Sequence, residues 1–308
     1  MEYLLHIAIL ICIYTILAQS LSLVAGYSGQ MSLAHAGFYG IGAYVAALLS
    51  VNYGSSLLIN LPVAMLLSGI SALLISALAV RTIDDYYIFI TLGIQVVIYS
   101  IMNNWQDVTN GPLGIPGIPP FTIFGFTFNS KLSFLLLAVL FVAVVWLLVL
   151  NITKSPFGRV LRALSEDEIY TKCLGKNVAR AKVISFVISG MIASIAGVLY
   201  AHYVSYVDPS SFTIDESIFI LSIVIIGGLR SQLGIFVAAA ILVFLPELFR
   251  FIGMPSDIAA NMRQVFYGLA LILAICFNTE KSKKVKLTQM PNGLQTEDVQ
   301  EKDITNNI

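Results

Sequence analysis

The amino-acid sequence predicts an all-α polytopic membrane protein. The expected architecture is a bundle of about nine transmembrane helices, some broken or short, with the N-terminus outside and the C-terminus inside. Three observations predict it. First, 58% of the 308 residues are hydrophobic and 11% are charged, where a soluble domain carries about 25% charge. Second, no Asp, Glu, Lys or Arg occurs from Tyr3 to Val80, a run that holds about three spans at roughly 20 residues each. Third, the charge is bunched: ten charged residues fall in Thr153–Lys182 and ten in Asn278–Ile308, leaving 14 for the rest of the chain. A bilayer core excludes charge, so the two clusters mark segments in water. Helices rather than a barrel follow from the long continuous apolar runs, since barrel strands are short and alternate.

The spans are read in order. Leu4–Val24 lacks a basic leader and is long enough to cross, so it reads as the first span rather than a signal peptide. Ala36–Val51, Leu57–Val80, Tyr86–Met102, Leu132–Ile152, Val183–Tyr203, Glu216–Gly228, Gly234–Ile252 and Gln264–Phe277 follow. The second and seventh are short and read as broken, tilted or re-entrant. Residues 1–277 form the transmembrane domain, with an inner loop at 153–182, and residues 278–308 form a polar tail read as disordered. Lysines of that tail face anionic membrane lipid. With the 153–182 loop placed inside, 14 of 17 basic residues lie on the inner side, and Lys131, Arg250 and Arg263 lie outside. This asymmetry sets the orientation.

Gly26–Tyr44 carries five glycines with Ser28, Gln30, Ser32 and His35 among them. It reads either as a broken helix lining a solute path or as tight helix packing with polar glue. His35 has no second histidine at helical spacing and reads as a packing residue. Asp84 and Asp85 open a helix, where negative charge meets the positive dipole end. Thr91 and Gln95 share one face of that span and either line a pathway or bond a neighbouring helix. Asn103 follows directly after the span, which ends at Met102. Five Gly or Pro between Gly111 and Gly117 then exclude a regular helix and predict an outer loop, gate or docking surface.

In the inner loop Pro156 suits a helix start, and Val160, Leu161 and Leu164 give an apolar face beside Arg159 and Arg162. A second short helix runs from Asp167 to Leu174 and ends at Gly175. A surface helix of this kind fits a partner's groove. Ile226–Gly234 reads as a hairpin or helix break whose Arg230 fits the positive-inside rule without further function. Glu247 and Arg250, three apart, are expected to pair. Cys12, Cys173 and Cys276 are too few for a disulfide framework and read as free thiols.

Several function classes are excluded. The charge balances at 17 basic against 17 acidic residues, so no field draws nucleic acid. No phosphate-binding loop of the G-x-x-x-x-G-K-[ST] type occurs, and neither H-E-x-x-H nor G-x-S-x-G is present. No enzymatic chemistry and no metal site are expected of this chain. Acidic residues deep in the spans are few, which argues against an ion-coupled secondary carrier. Motive force is expected through the charged inner loop.

Seven segments, in order, carry a resemblance: Gly26–Tyr44, Asp85–Gln95, Thr109–Pro119, Gly158–Gly175, Ala196–Ala201, Glu216–Ile218 and Gly227–Gly234. Together they resemble the permeases of branched-chain amino acid ABC importers, and Asp85-Tyr86 after a basic residue is similar to the LivM-like branch. The resemblance implies a bacterial inner-membrane importer of leucine, isoleucine and valine. It also implies a second, LivH-like permease, two cytosolic ATPases that carry the ATP and Mg, and an external substrate-binding protein. No cofactor is implied in this chain. Arg159, Arg162, Glu166, Asp167, Glu168 and Gly175 would then couple to the ATPases. Ser28, Gln30, Ser32, Thr91, Gln95 and Asn103, polar groups in or near apolar spans, are the candidate translocation path. The chain departs from the pattern at Ala34, Asn110 and Arg230, each standing where a glycine is expected, and at Gln95, where relatives often have Glu. Urea, short amides or other small solutes therefore stay open as cargo, and an ion-coupled carrier or a membrane scaffold remain the alternatives.

Overall fold

Inside hydrocarbon a backbone N–H or C=O has no partner but another backbone group, so long apolar runs close into helices. The computed structural model describes residues 2–79, 82, 84–123, 126–127, 130–251 and 268. In chain order its helices are α1 (Glu2–Ser22), α2 (His35–Tyr53), α3 (Leu57–Ala79), α4 (Asp84–Asn104), α5 (Gln106–Thr109), α6 (Lys131–Lys154), α7 (Pro156–Glu166), α8 (Glu168–Cys173), α9 (Val178–Val204), α10 (Ile214–Gly227) and α11 (Gln232–Phe251). α1 continues through a π-helical turn, Leu23–Ser28, beyond the predicted end at Val24. Five helices among the described residues are long and apolar enough to cross a membrane: α1 with its π turn, α3, α4, α6 and α9. The predicted spans at α2, α10 and α11 are helical too, and α10, at 14 residues, stays short. Apart from Gly268, the Gln264–Phe277 span falls outside the described residues, as do Cys276 and the 278–308 tail, and the side chains of the expected Glu247–Arg250 pair are not described.

α1 and α9 form the centre. In their most apolar stretch 78% and 67% of residues are buried, against 33% for α3, 22% for α4 and 28% for α6. α9 packs on α2 and α3, while α1 packs on α6, α9, α10 and α11. Small residues let the backbones close. A Cβ on Gly197 would collide with the Tyr39 carbonyl, and one on Gly42 with the Ser194 backbone, so α2 and α9 cross in direct contact. Leu66, Ile70 and Leu74 on α3 and Leu136, Leu140 and Leu147 on α6 point outward, where lipid would cover them.

One end of the bundle is tied by the Lys131–Glu2 ion pair at 3.0 Å and by His6 Nδ1, 2.6 Å from the Tyr203 hydroxyl. Here the Gly/Pro segment is irregular, as predicted, but it is not without order. A 3-10 turn, Gly111–Leu113, leads into β1 (Ile115–Pro116). Then come β2 (Thr122–Ile123) and β3 (Phe126–Thr127), which pair antiparallel with each other. β1 pairs antiparallel with β4 (Tyr206–Val207), Ile115 opposite Val207. These two-residue ladders are the one departure from an all-α chain among the described residues. The opposite end carries α7, α8 and the turn between α10 and α11.

Candidate functional site

The sequence interrupts its own helix between α1 and α2. Gly29 turns into the left-handed region at φ 75° and its N–H caps the Val24 carbonyl. Ser28 Oγ then donates to Gln30 Oε1 at 2.9 Å, and Ser32 Oγ accepts from the Ala34 N–H at 3.2 Å. Such local side-chain bonds compete with the helical ladder. The chain stays non-helical until His35, and the freed backbone groups find tertiary partners. The Leu33 N–H donates to Thr91 Oγ1 at 3.1 Å, and the Ala36 N–H to Ser217 Oγ at 3.2 Å.

A second interruption precedes α10, at the 3-10 turn Pro209–Phe212. Gln95 Nε2 donates to the Phe212 carbonyl at 2.8 Å. Thr91 and Gln95, fully buried on one face of α4, therefore stitch the two breaks together. His35 is held between helices: its Nε2 lies 2.6 Å from Ser189 Oγ, which donates to the Ser20 carbonyl at 2.6 Å. Among the described residues, the buried side-chain atoms without a hydrogen-bond partner are Gln95 Oε1, both amide atoms of Gln19 and of Gln232, His35 Nδ1 and the Tyr44 and Tyr87 hydroxyls. The structure thus gathers Ser28, Gln30, Ser32, Thr91 and Gln95 around one seam. Asn103 stands apart, two helical turns further along α4 and about 12 Å from Gln95 along its axis.

A charged corner adjoins this seam. α7 begins where Ser155 Oγ accepts from the Gly158 N–H at 3.2 Å, with Pro156 as its first residue. The apolar face expected to meet a partner turns inward instead. Leu161 and Leu164 are buried with Leu23, Tyr27, Val178 and Ala181. The exposed apolar surface lies on α8, at Ile169, Tyr170 and Leu174. Arg162 stacks its guanidinium 5.5 Å from the Tyr27 ring centre, and Ser165 packs on Gly29. Asp167 caps α8, its Oδ1 accepting from the Tyr170 N–H at 2.9 Å. Glu168 meets Lys172 at 2.7 Å and the buried Lys182 at 2.7 Å. Burial pushes the Glu168 carboxyl up, but the hydrogen bonds from Lys172 and Lys182 outweigh it and hold the group below its usual range. Gly175, at φ 73°, ends the helical pair. Arg159, Arg162, Glu166, Asp167 and Gly175 are exposed, and Glu168 is half-buried.

Sequence reasoning missed Arg230. Its Nε donates to the Gly26 carbonyl at 2.9 Å and its Nη2 to Ser165 Oγ at 2.6 Å, with Glu166 at 3.5 Å. The signal was available, because Arg230 is the only basic residue between Lys182 and Arg250.

The sequence profile of a family described as "branched-chain amino acid transport system / permease component" matches residues 3–275. The chain belongs to this family. The chain is similar to the high-affinity branched-chain amino acid transport system permease protein LivM of Escherichia coli (strain K12). The two are 37% identical over 267 residues, covering 79% of this chain and 63% of that protein. The match therefore spans less than two thirds of that relative's length. It is also 26% identical over 239 residues to the probable branched-chain amino acid transport permease protein LivH of Methanocaldococcus jannaschii, covering 74% of each. Over 138 residues it is 30% identical to the L-arabinose transport system permease protein AraH of Escherichia coli (strain K12), covering 44% of this chain and 41% of that protein. No solved structure gives a significant match. Both the seam and the charged corner lie inside the matched residues, and several apolar helices fit a multi-pass membrane protein.

Proposed function

We propose that the chain is a transmembrane permease subunit of an ATP-driven ABC importer for branched-chain amino acids (leucine, isoleucine and valine) or similar small solutes. The observation that carries this reading is the seat of α7 directly on the π turn and break of α1, through Ser165 on Gly29 and Arg162 on Tyr27. A surface element able to receive an external push is thereby joined to an interrupted helix. Family membership and the LivM and LivH relatives support the same reading. The similarity to an arabinose permease is a reason to leave the cargo to measurement, because a fold does not fix a solute.

In this reading the chain sits in the bacterial inner membrane with nine spans, N-terminus outside and C-terminus inside, and residues 278–308 form a cytosolic tail. A LivH-like permease pairs with it and an external binding protein delivers solute. Two cytosolic ATPases, which hold ATP and Mg, dock on the inner loop. Arg159, Arg162, Glu166, Asp167, Glu168 and Gly175 shape that docking surface, and the exposed Ile169, Tyr170 and Leu174 give it an apolar centre. Closure of the ATPase pair moves α7 and α8, and the bundle switches access. The solute passes Ser28, Gln30, Ser32, Thr91, Gln95 and Asn103. The unpartnered Gln95 Oε1 supports a role for that residue, since a buried acceptor left unpaired costs about 1–3 kcal/mol until something engages it.

Purification of the tagged chain in mild detergent from its native cell, followed by reconstitution, tests the reading. ATPases and a second permease are expected to co-purify and to drive ATP-dependent leucine uptake. The double variant Arg162→Ala, Glu168→Gln is expected to lower that uptake about tenfold or more, the equivalent of one charge-assisted contact. Uptake by the chain alone that collapses with an ion gradient would overturn it in favour of a secondary carrier.

A further inference from the structure

Arg230 occupies a place that its sequence context does not explain. It lies in the turn between α10, which ends at Gly227, and α11, which begins at Gln232. A topogenic arginine needs only to reach water. This one is spent on three protein contacts: the Gly26 carbonyl at 2.9 Å, Ser165 Oγ at 2.6 Å and the Glu166 carboxylate at 3.5 Å. The turn itself is bonded back. Tyr27 Oη donates to the Arg230 carbonyl at 3.1 Å, and Ser22 Oγ to the Leu229 carbonyl at 2.8 Å. Gly26 has no side chain because the Leu229 backbone already fills that space.

Helix electrostatics explain why a cation belongs here. The last carbonyls of a helix have no partner within it and carry partial negative charge. Gly26 lies in the π turn that ends α1, and Ser165 and Glu166 are the last residues of α7. Two helix C-termini and one carboxylate converge on a single guanidinium. Its planar fork can hold separate acceptors at fixed angles, which a lysine ammonium does not do. Remove the charge and two negative helix ends face each other.

We propose that Arg230 is a positioning residue for coupling. It clamps the end of α7 to the end of α1, so that displacement of α7 is delivered to the Gly29–Ala34 break rather than dissipated in the loop. The clamp sits on the α10–α11 turn, so α10, whose N-terminal Ser217 bonds the start of α2, moves with it. One cation thus joins the surface helix to both interruptions of the seam. The inference rests on the importer reading above.

The test uses the complete complex in proteoliposomes with radiolabelled leucine as probe and compares wild type with Arg230→Gln, Arg230→Lys and Ser165→Ala. ATP hydrolysis and uptake are measured on the same vesicles. In Arg230→Gln, uptake is expected to fall about tenfold while hydrolysis stays within about threefold, so that ATP consumed per leucine rises, the scale set by loss of hydrogen bonds to a charged group. Arg230→Lys is expected to recover part of the coupling, because charge returns without the fork. Ser165→Ala leaves the guanidinium in place and removes one contact, so it remains informative if Arg230→Gln fails to assemble; a smaller rise in the same ratio is expected. An unchanged ratio in Arg230→Gln, or in Ser165→Ala where Arg230→Gln does not assemble, overturns the proposal, as does a parallel fall of uptake and hydrolysis. A wild-type complex without ATP-driven uptake instead overturns the importer reading itself.

Discussion

Glu168 holds two lysines at once, Lys172 on its own helix and the buried Lys182 on α9. Its carboxyl lies below the usual glutamate range. A folded-state value lower than the unfolded one means that folding favours the ionised form. The contribution is complete above the unfolded value of about 4.3 and is lost as pH falls through the lowered folded value. Acidification is therefore expected to loosen the joint between α8 and α9 only once pH falls below the unfolded glutamate value, read as faster amide hydrogen exchange in α8. Glu168→Gln is expected to be loose already at neutral pH, by about 1–3 kcal/mol, because Lys182 keeps a buried charge with a weaker acceptor. Equal exchange in the variant and wild type at neutral pH would show that the pair does not anchor the loop.

The interruption of α1 shows what was legible and what was not. The glycines and short polar side chains from Gly26 to Ser32 announce a break, because only such residues offer the backbone an alternative to the helix. The partners of the break are set by tertiary approach. Nothing local to Thr91 says that it accepts from Leu33, 58 positions away. The two readings open for Thr91 and Gln95, pathway or inter-helix bond, could not be separated by spacing, since both need polar groups on one helix face. The same holds for α7. Its amphipathic pattern is plain in the sequence, but pattern alone does not say whether the apolar face meets a partner or the chain's own Tyr27. Thr91→Val keeps the shape of the side chain and removes the acceptor. It is expected to cost about 1–3 kcal/mol, seen as a lowered unfolding temperature in detergent with faster exchange at Leu33. No change in either would mean that the bond does not hold the break.

At the scale of the whole chain, hydropathy finds helices but not their surroundings. α1 and α3 have nearly equal mean hydropathy, 2.3 and 2.2, yet α1 lies at the centre and α3 on the rim. Leucine meets lipid as readily as it meets protein, so the sequence told where the long apolar helices lie and not which of them is inside. Cysteines provide a test of orientation. Cys12 is buried and Cys173 exposed on the α8 corner. In a variant with Cys276→Ser, a membrane-impermeant maleimide is expected to label Cys173 in inverted vesicles and not in right-side-out ones. Labelling from the outside would reverse the proposed topology.

The brevity of α10 has a consequence for biogenesis. Fourteen residues make a rod of about 21 Å, against a hydrocarbon thickness of about 30 Å. Asp215 and Glu216 at its first turn shorten the apolar length further. Such a segment is a poor substrate for the insertion machinery on its own. Its seat therefore depends on α1 and α4, whose Ser22 and Gln95 donate to the Leu229 and Phe212 carbonyls that flank it. The Leu229 end of that seat is the same joint that Arg230 binds through the Gly26 carbonyl.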